Sequence, residues 1–140
     1  MKPIERLYEH PACAIYYNVD LNLVQTVWKG IEVSSDDFRR ILNQIIKALI
    51  YSTANVVLAD ARRMPPISET DQEWILDDWY PRAVKAGFRY QGLVLAKNSY
   101  NEIAVKELSQ QYDKWVVSTH YFTTINEALG WIKELKTVGE

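Results

Sequence analysis

Few side chains in these 140 residues have a type and spacing that could do chemistry, and the densest group is Asp60, Arg62 and Arg63. They close the run Asn55-Val-Val-Leu-Ala-Asp60, an apolar stretch of strand type that stops abruptly on a carboxylate. In open α/β sheets, ligands and partners gather just beyond the carboxyl ends of strands. A carboxylate placed there can take a cation or a partner's arginine, and two guanidiniums can grip a phosphate or carboxylate. The same three residues can instead pair with one another and cap the turn that follows. On sequence both readings stand.

The second group is the segment Glu69, Asp71, Glu73, Asp77 and Asp78, interleaved with Trp74 and Trp79 and followed by Tyr80 and Arg82. Carboxylates in number suggest a divalent cation, but no spacing here reproduces a calcium loop and no glycine supplies its sharp turn. An exposed acidic helix face is the plainer reading, and no metal is expected. Three large aromatics so close together exceed what one amphipathic helix buries. Trp74, Trp79 and Arg82 are therefore candidate binding residues, and Trp79 and Tyr80 are expected to leave aromatic surface outside as a subunit contact. That expectation makes a homodimer the working assumption.

Catalysis finds less support. His10 and His120 are the only histidines. His120 and Asp60 would make a general-base pair at one sheet edge, but a nucleophile is missing. Cys13 lies in a strand-type run where a small buried side chain is the ordinary role. The five glycines are scattered singly, so no phosphate-cradling loop and no Gly-x-Ser-x-Gly elbow is present. No catalytic residue and no cofactor is expected.

These side chains need elements to hold them, and the chain supplies them in a regular order. With 48% hydrophobic residues it can bury a full core as one domain spanning residues 1–140. A net charge of −2 gives no bulk attraction to nucleic acid. One cysteine excludes an internal disulfide. No apolar run approaches the ~20 residues of a membrane span, and the charged start lacks the apolar core of a signal peptide. A cytoplasmic protein is expected.

Ala12–Asn18 and Asn22–Trp28 read as an antiparallel hairpin, with Ile4–Glu9 a possible edge strand. Ser34-Ser-Asp-Asp37 caps a helix whose apolar face is Phe38, Ile41, Leu42, Ile45, Ile46 and Leu49. Strand 55–60 follows, uniformly apolar as in a sheet covered on both faces. Ser68 opens a second helix, Pro81 begins a further short one, and Gly87 closes it. Strand 88–97 comes next, then a helix capped by Ser99 and Glu102 and running to about Tyr112. Strand Trp115–Phe122 and a last helix, capped by Thr124 and Glu127, finish the chain. The order β-β-α-β-α-β-α-β-α predicts an α/β fold with a mostly parallel mixed sheet and an antiparallel opening hairpin.

Several phrases along this order resemble the STAS-like families related to the anti-sigma-factor antagonists, the SpoIIAA-like fold. They are Trp28-Lys-Gly30 closing the hairpin, Ser34-Ser-Asp-Asp-Phe38, the strand ending in Asp60, and Phe122-Thr-Thr-Ile-Asn-Glu127-Ala128-Leu-Gly-Trp131. The resemblance implies a non-enzymatic regulatory or protein-interaction module working at the carboxyl edge of the parallel strands. It also implies a phosphoacceptor serine after the aspartate, and here that residue is Ala61, so the best-known switch of the fold is missing. Two alternatives stand beside this reading: a small-molecule or lipid carrier, and an enzyme using Asp60 and His120. The expected partner is accordingly a protein or a small apolar ligand. A closed apolar pocket would favour the carrier, a flat aromatic patch the interaction module, and convergent polar groups the enzyme.

Overall fold

Strand-type residues before position 30 fold into a meander, and the alternation beyond it builds parallel strands. A computed structural model describes residues 4–113 and 116–138. The strands β1 (Ile4–Glu9), β2 (Cys13–Asn18) and β3 (Leu23–Trp28) are antiparallel neighbours. The β2–β3 turn contains Asn22 at φ +49°, a left-handed position that asparagine tolerates. Strands β4 (Val56–Asp60), β5 (Tyr90–Val94) and β6 (Ser118–Phe122) then add in parallel, and the sheet order is simply β1-β2-β3-β4-β5-β6. The α/β class, the opening hairpin and the edge strand are as the sequence predicted. Trp115, the expected start of the last strand, lies outside the described residues.

Helix α1 (Ser35–Ser52) begins where Ser34 accepts the Asp37 N–H through its hydroxyl, and its six expected apolar residues are all buried. Helix α4 (Tyr100–Asp113) starts on the predicted box: Ser99 accepts the Glu102 N–H, and the Glu102 carboxylate accepts the Asn98 N–H. Helix α5 (Ile125–Val138) starts likewise, with Thr124 accepting the Glu127 N–H.

The middle segment departs from expectation. Helix α2 (Glu69–Trp74) does not stop before Pro81 but runs through a π turn (Ile75–Trp79) into α3 (Tyr80–Lys85). Proline has no N–H, and its ring crowds the carbonyl one turn back. Widening that turn, so that the Tyr80 N–H reaches the Ile75 carbonyl, relieves the crowding without breaking the helix.

Each crossover from β3 onward steps one strand in the same direction, and right-handed crossovers of that kind carry their helices to one face. Helices α1 to α4 accordingly cover the face that carries Val57, Ala59, Leu93 and Leu95. Helix α5 alone packs the other, against Leu23, Val56, Leu58 and Val94 through Ala128 and Ile132. That face is filled to the last methyl: a Cβ at Gly92 would lie 3.2 Å from Leu58 Cδ1 and 3.3 Å from Trp131 Cζ3.

Candidate functional site

At the carboxyl end of β4, Asp60 is paired within its own turn. The Arg62 side chain turns back on Asp60 in a two-pronged pair, Nε donating to Oδ1 at 2.9 Å and a terminal N–H to Oδ2 at 2.7 Å. The Arg62 backbone N–H adds a third, longer bond to Oδ1. Partial burial pulls the Asp60 carboxyl upward, but these bonds and the charges of Arg62 and Arg63 hold it below the usual carboxylate range. Asp60 is thus spoken for by its own turn. Arg63 lies apart from it, over Gly30, where a Cβ would sit 3.2 Å from the guanidinium Nε. Gly30 has φ +80°, a conformation that suits glycine, so the β3 and β4 ends approach closely there.

The enzyme pairing does not assemble. His120 lies opposite Gly92, and Gly92 opposite Leu58, two residues short of Asp60 and two strands away. Its ring stacks on Trp131 at 4.5 Å between centroids and reaches the Ser118 hydroxyl. Cys13 is fully buried, and desolvation pushes its thiol up to about 12, so it is a poor nucleophile. Among the described residues no cluster of three or more His, Cys, Asp or Glu side chains could hold a metal ion. No helix among them is long and apolar enough to cross a membrane.

The aromatic segment needs correction. Trp79 and Tyr80 were expected at the surface and are both buried, at 4% exposure. The Trp79 indole N–H donates to the Leu42 carbonyl at 2.6 Å and its ring meets Phe88 edge-on. The π turn rotates these residues inward onto α1, so they are core rather than a subunit contact. Trp74 remains half-buried, flanked by the guanidiniums of Arg39 at 5.1 Å and Arg82 at 5.9 Å from its ring. Arg82 also pairs with Asp78 and donates to Asn43. Asp71, expected on a solvated acidic face, is buried and accepts from Ser35 at 2.6 Å and from Arg39 at 2.9 Å. Burial raises its pKa, but these donors outweigh that and leave it below the ordinary value. It ties α2 to α1.

An apolar cavity lies beneath this segment. It sits between the sheet and the helices and has a volume of about 70 Å³. Its floor comes from the alternation of the strands. On β4 and just beyond it the residues facing this side are Val57, Ala59 and Ala61, a valine followed by two alanines. Across the sheet a single row reads Ile15, Thr26, Ala59, Leu93, Tyr121, so a threonine and an alanine stand between larger side chains. The roof is Phe38, Leu42 and Ile45 from α1, Ile75 and Trp79 from the π turn, and Leu108 from α4. Of the apolar lining, only Met64 and Ile67 keep partial exposure, so the mouth is the loop after β4. That loop begins at the Asp60–Arg62 pair.

Polar groups in the lining are few and none is ionisable. The Gln91 carbonyl oxygen accepts from Thr119, and the Ser109 hydroxyl bonds Tyr121. The Thr26 hydroxyl is different. It is 1% exposed and, among the described residues, is the fully buried side-chain polar atom that lacks a hydrogen-bond partner. Comparisons with family models, curated proteins and solved structures find no match to this chain.

Sequence reasoning placed the edge but missed the cavity above it. One signal was present: Thr26 is the polar residue on the inward face of β3, at two-residue spacing from Val24 and Trp28. Ala61, noted only as a missing phosphoacceptor, is buried at 3% exposure and lines the cavity, so a side chain there faces the interior rather than a kinase.

Proposed function

We propose that this chain is a non-enzymatic ligand-binding domain that takes a small apolar molecule between its sheet and helices, entering past Met64 and Ile67. The observation that carries this reading is the cavity itself, apolar on nearly every side in a domain whose opposite face is filled. A well-packed interior tolerates few voids larger than a water, and about 70 Å³ is several times the ~10–15 Å³ one water needs. An apolar cavity of ~150 Å³ takes benzene. Here the pliable Met64 thioether at the mouth supplies the adjustment that a ring-sized guest requires. The resemblance to STAS-like regulatory modules fits a domain whose occupancy is read by a partner at the strand edge, since the mouth and the Asp60–Arg63 turn are one loop. The absence of a convergent nucleophile, base and orienting group among the described residues favours binding over turnover.

The test is direct. Thermal melts of the full chain with millimolar benzene, phenol or indole should show stabilisation that rises with concentration, as binding to the native state requires. Ala59→Leu, which fills the cavity from its floor, should abolish the shift while the protein stays folded. If no compound stabilises the native chain and crystals under xenon pressure take up no gas at Ala59, the reading fails.

A further inference from the structure

Resting on the cavity reading, we infer that the ligand is an uncharged molecule bearing one hydrogen-bonding group, and that the Thr26 hydroxyl is the residue that recognises it. Two independent observations carry this. The first is the lone polar atom: Thr26 Oγ1 is buried in the cavity wall without a partner. Buried polar side chains are nearly always satisfied, and leaving one unmatched is costly. A ligand hydroxyl, carbonyl or ether oxygen placed against it removes that cost, because a threonine hydroxyl both donates and accepts.

The second is the absence of charge in the lining. A carboxylate or an amine cation brought into such a cavity meets no counter-ion, and an unpaired buried charge is prohibitive. Fatty acids in their ionised form, amino acids and phosphorylated metabolites are thereby excluded as cavity occupants. No guanidinium is in the lining: Arg62 is committed to Asp60, Arg39 reaches Asp71 and the Trp74 ring, and Arg63 lies over Gly30. Two other polar groups of the lining are already committed: the Trp79 indole to the Leu42 carbonyl, and the Ser109 hydroxyl to Tyr121. Of the fully buried polar side-chain atoms in the lining, Thr26 Oγ1 is the one left for a ligand, and the apolar remainder of the wall selects by shape.

This arrangement predicts discrimination of an asymmetric kind. A site built to bond one polar group rejects the analogue that lacks it more strongly than an apolar site rejects an added one. The probes are benzene, phenol and benzoate, which share a ring and differ at one substituent. Binding to the wild-type chain and to Thr26→Val and Thr26→Ser is measured by titration calorimetry and by shifts of the Trp indole resonances. Phenol should bind wild type roughly tenfold more tightly than benzene, as one good neutral hydrogen bond implies. Thr26→Val should erase that ratio while benzene still binds, and Thr26→Ser, which keeps the hydroxyl, should retain it. Benzoate should not compete with phenol at neutral pH.

Equal affinity for benzene and phenol, unchanged by Thr26→Val, would overturn the role of Thr26 and leave the cavity reading standing. Competition by benzoate would overturn the exclusion of charge. Failure of both benzene and phenol to bind would overturn the cavity reading on which this inference rests.

Discussion

The two faces of one sheet are packed to different standards in this protein. On the α5 side the residues Val56, Leu58 and Val94 meet Ala128 and Ile132, and a methyl added at Gly92 would press on Leu58 and Trp131 at 3.2 and 3.3 Å. On the other side the neighbouring residues of the same strands, Val57, Ala59 and Leu93, border a cavity of about 70 Å³ and an unpartnered hydroxyl. A chain that packed loosely throughout would show voids on both faces. The contrast locates the cavity where three helical segments converge over small strand residues, and it makes the void a property of that face.

The largest expected effect comes from damaging the filled face. Leu58→Ala should cost about 2–5 kcal/mol, because its surroundings are close-packed and collapse poorly around a new hole. Urea melts would measure this, and a loss under about 1 kcal/mol would mean that the α5 face is as yielding as the other. Gly92→Ala on the same face should cost about 1–3 kcal/mol by overpacking against Leu58 and Trp131. Since Leu58 Cδ1 is the nearest obstacle, the double variant should cost less than the two losses added together. Ala59→Val adds carbon on the cavity side and should be neutral or stabilising by up to about 1 kcal/mol. If Gly92→Ala and Ala59→Val were equally damaging, the contrast between faces would collapse.

The next effect has the opposite sign. Thr26→Val exchanges an unpartnered buried hydroxyl for a methyl of the same shape and should raise stability by about 1 kcal/mol in the ligand-free protein. A destabilisation of similar size in denaturant melts would show that the hydroxyl has a partner in solution and would remove its role as a recognition point. A gain in stability coupled to a loss of phenol preference is the signature expected of a residue kept for binding.

Much of this contrast was hidden in the sequence for identifiable reasons. The strands, the caps at Ser34, Ser68, Ser99 and Thr124, and the buried face of α1 are local signals, and local periodicity was enough to read them. The π turn was not legible, because Pro81 reads as a helix start whether the preceding turn breaks or widens. That single ambiguity reversed the reading of Trp79 and Tyr80 from surface to core. Asp71 was likewise read as solvated, since its donors Ser35 and Arg39 lie more than thirty residues away on α1. A cavity is harder still. It depends on what three separate helical segments fail to fill, and no window of sequence records that.

The smallest effect, and the sharpest check on where the site lies, concerns Asp60. By alternation it belongs to the filled face with Leu58, whereas its neighbour Ala61 lines the cavity. The pair with Arg62 is part-exposed, 43% at the arginine and 15% at the aspartate, so solvent screening should keep the cost of Asp60→Asn to about 1 kcal/mol at neutral pH. The folded-state carboxyl titrates below its unfolded value, near 3.9. Its contribution is therefore fully present above about pH 4 and is lost as the pH falls through the lower folded value. Asp71 is depressed in the same direction and weakens the protein in the same window, but it is common to both proteins and cancels in the difference. Urea melts of wild type and Asp60→Asn at pH 7 and pH 3 should show a gap that shrinks in acid, with phenol affinity at pH 7 unchanged by the substitution. A gap that persists at pH 3 would mean that charge is not what the pair supplies. A loss of phenol binding by a well-folded Asp60→Asn protein would move recognition from the cavity wall to the strand edge, and the two faces would then share one site.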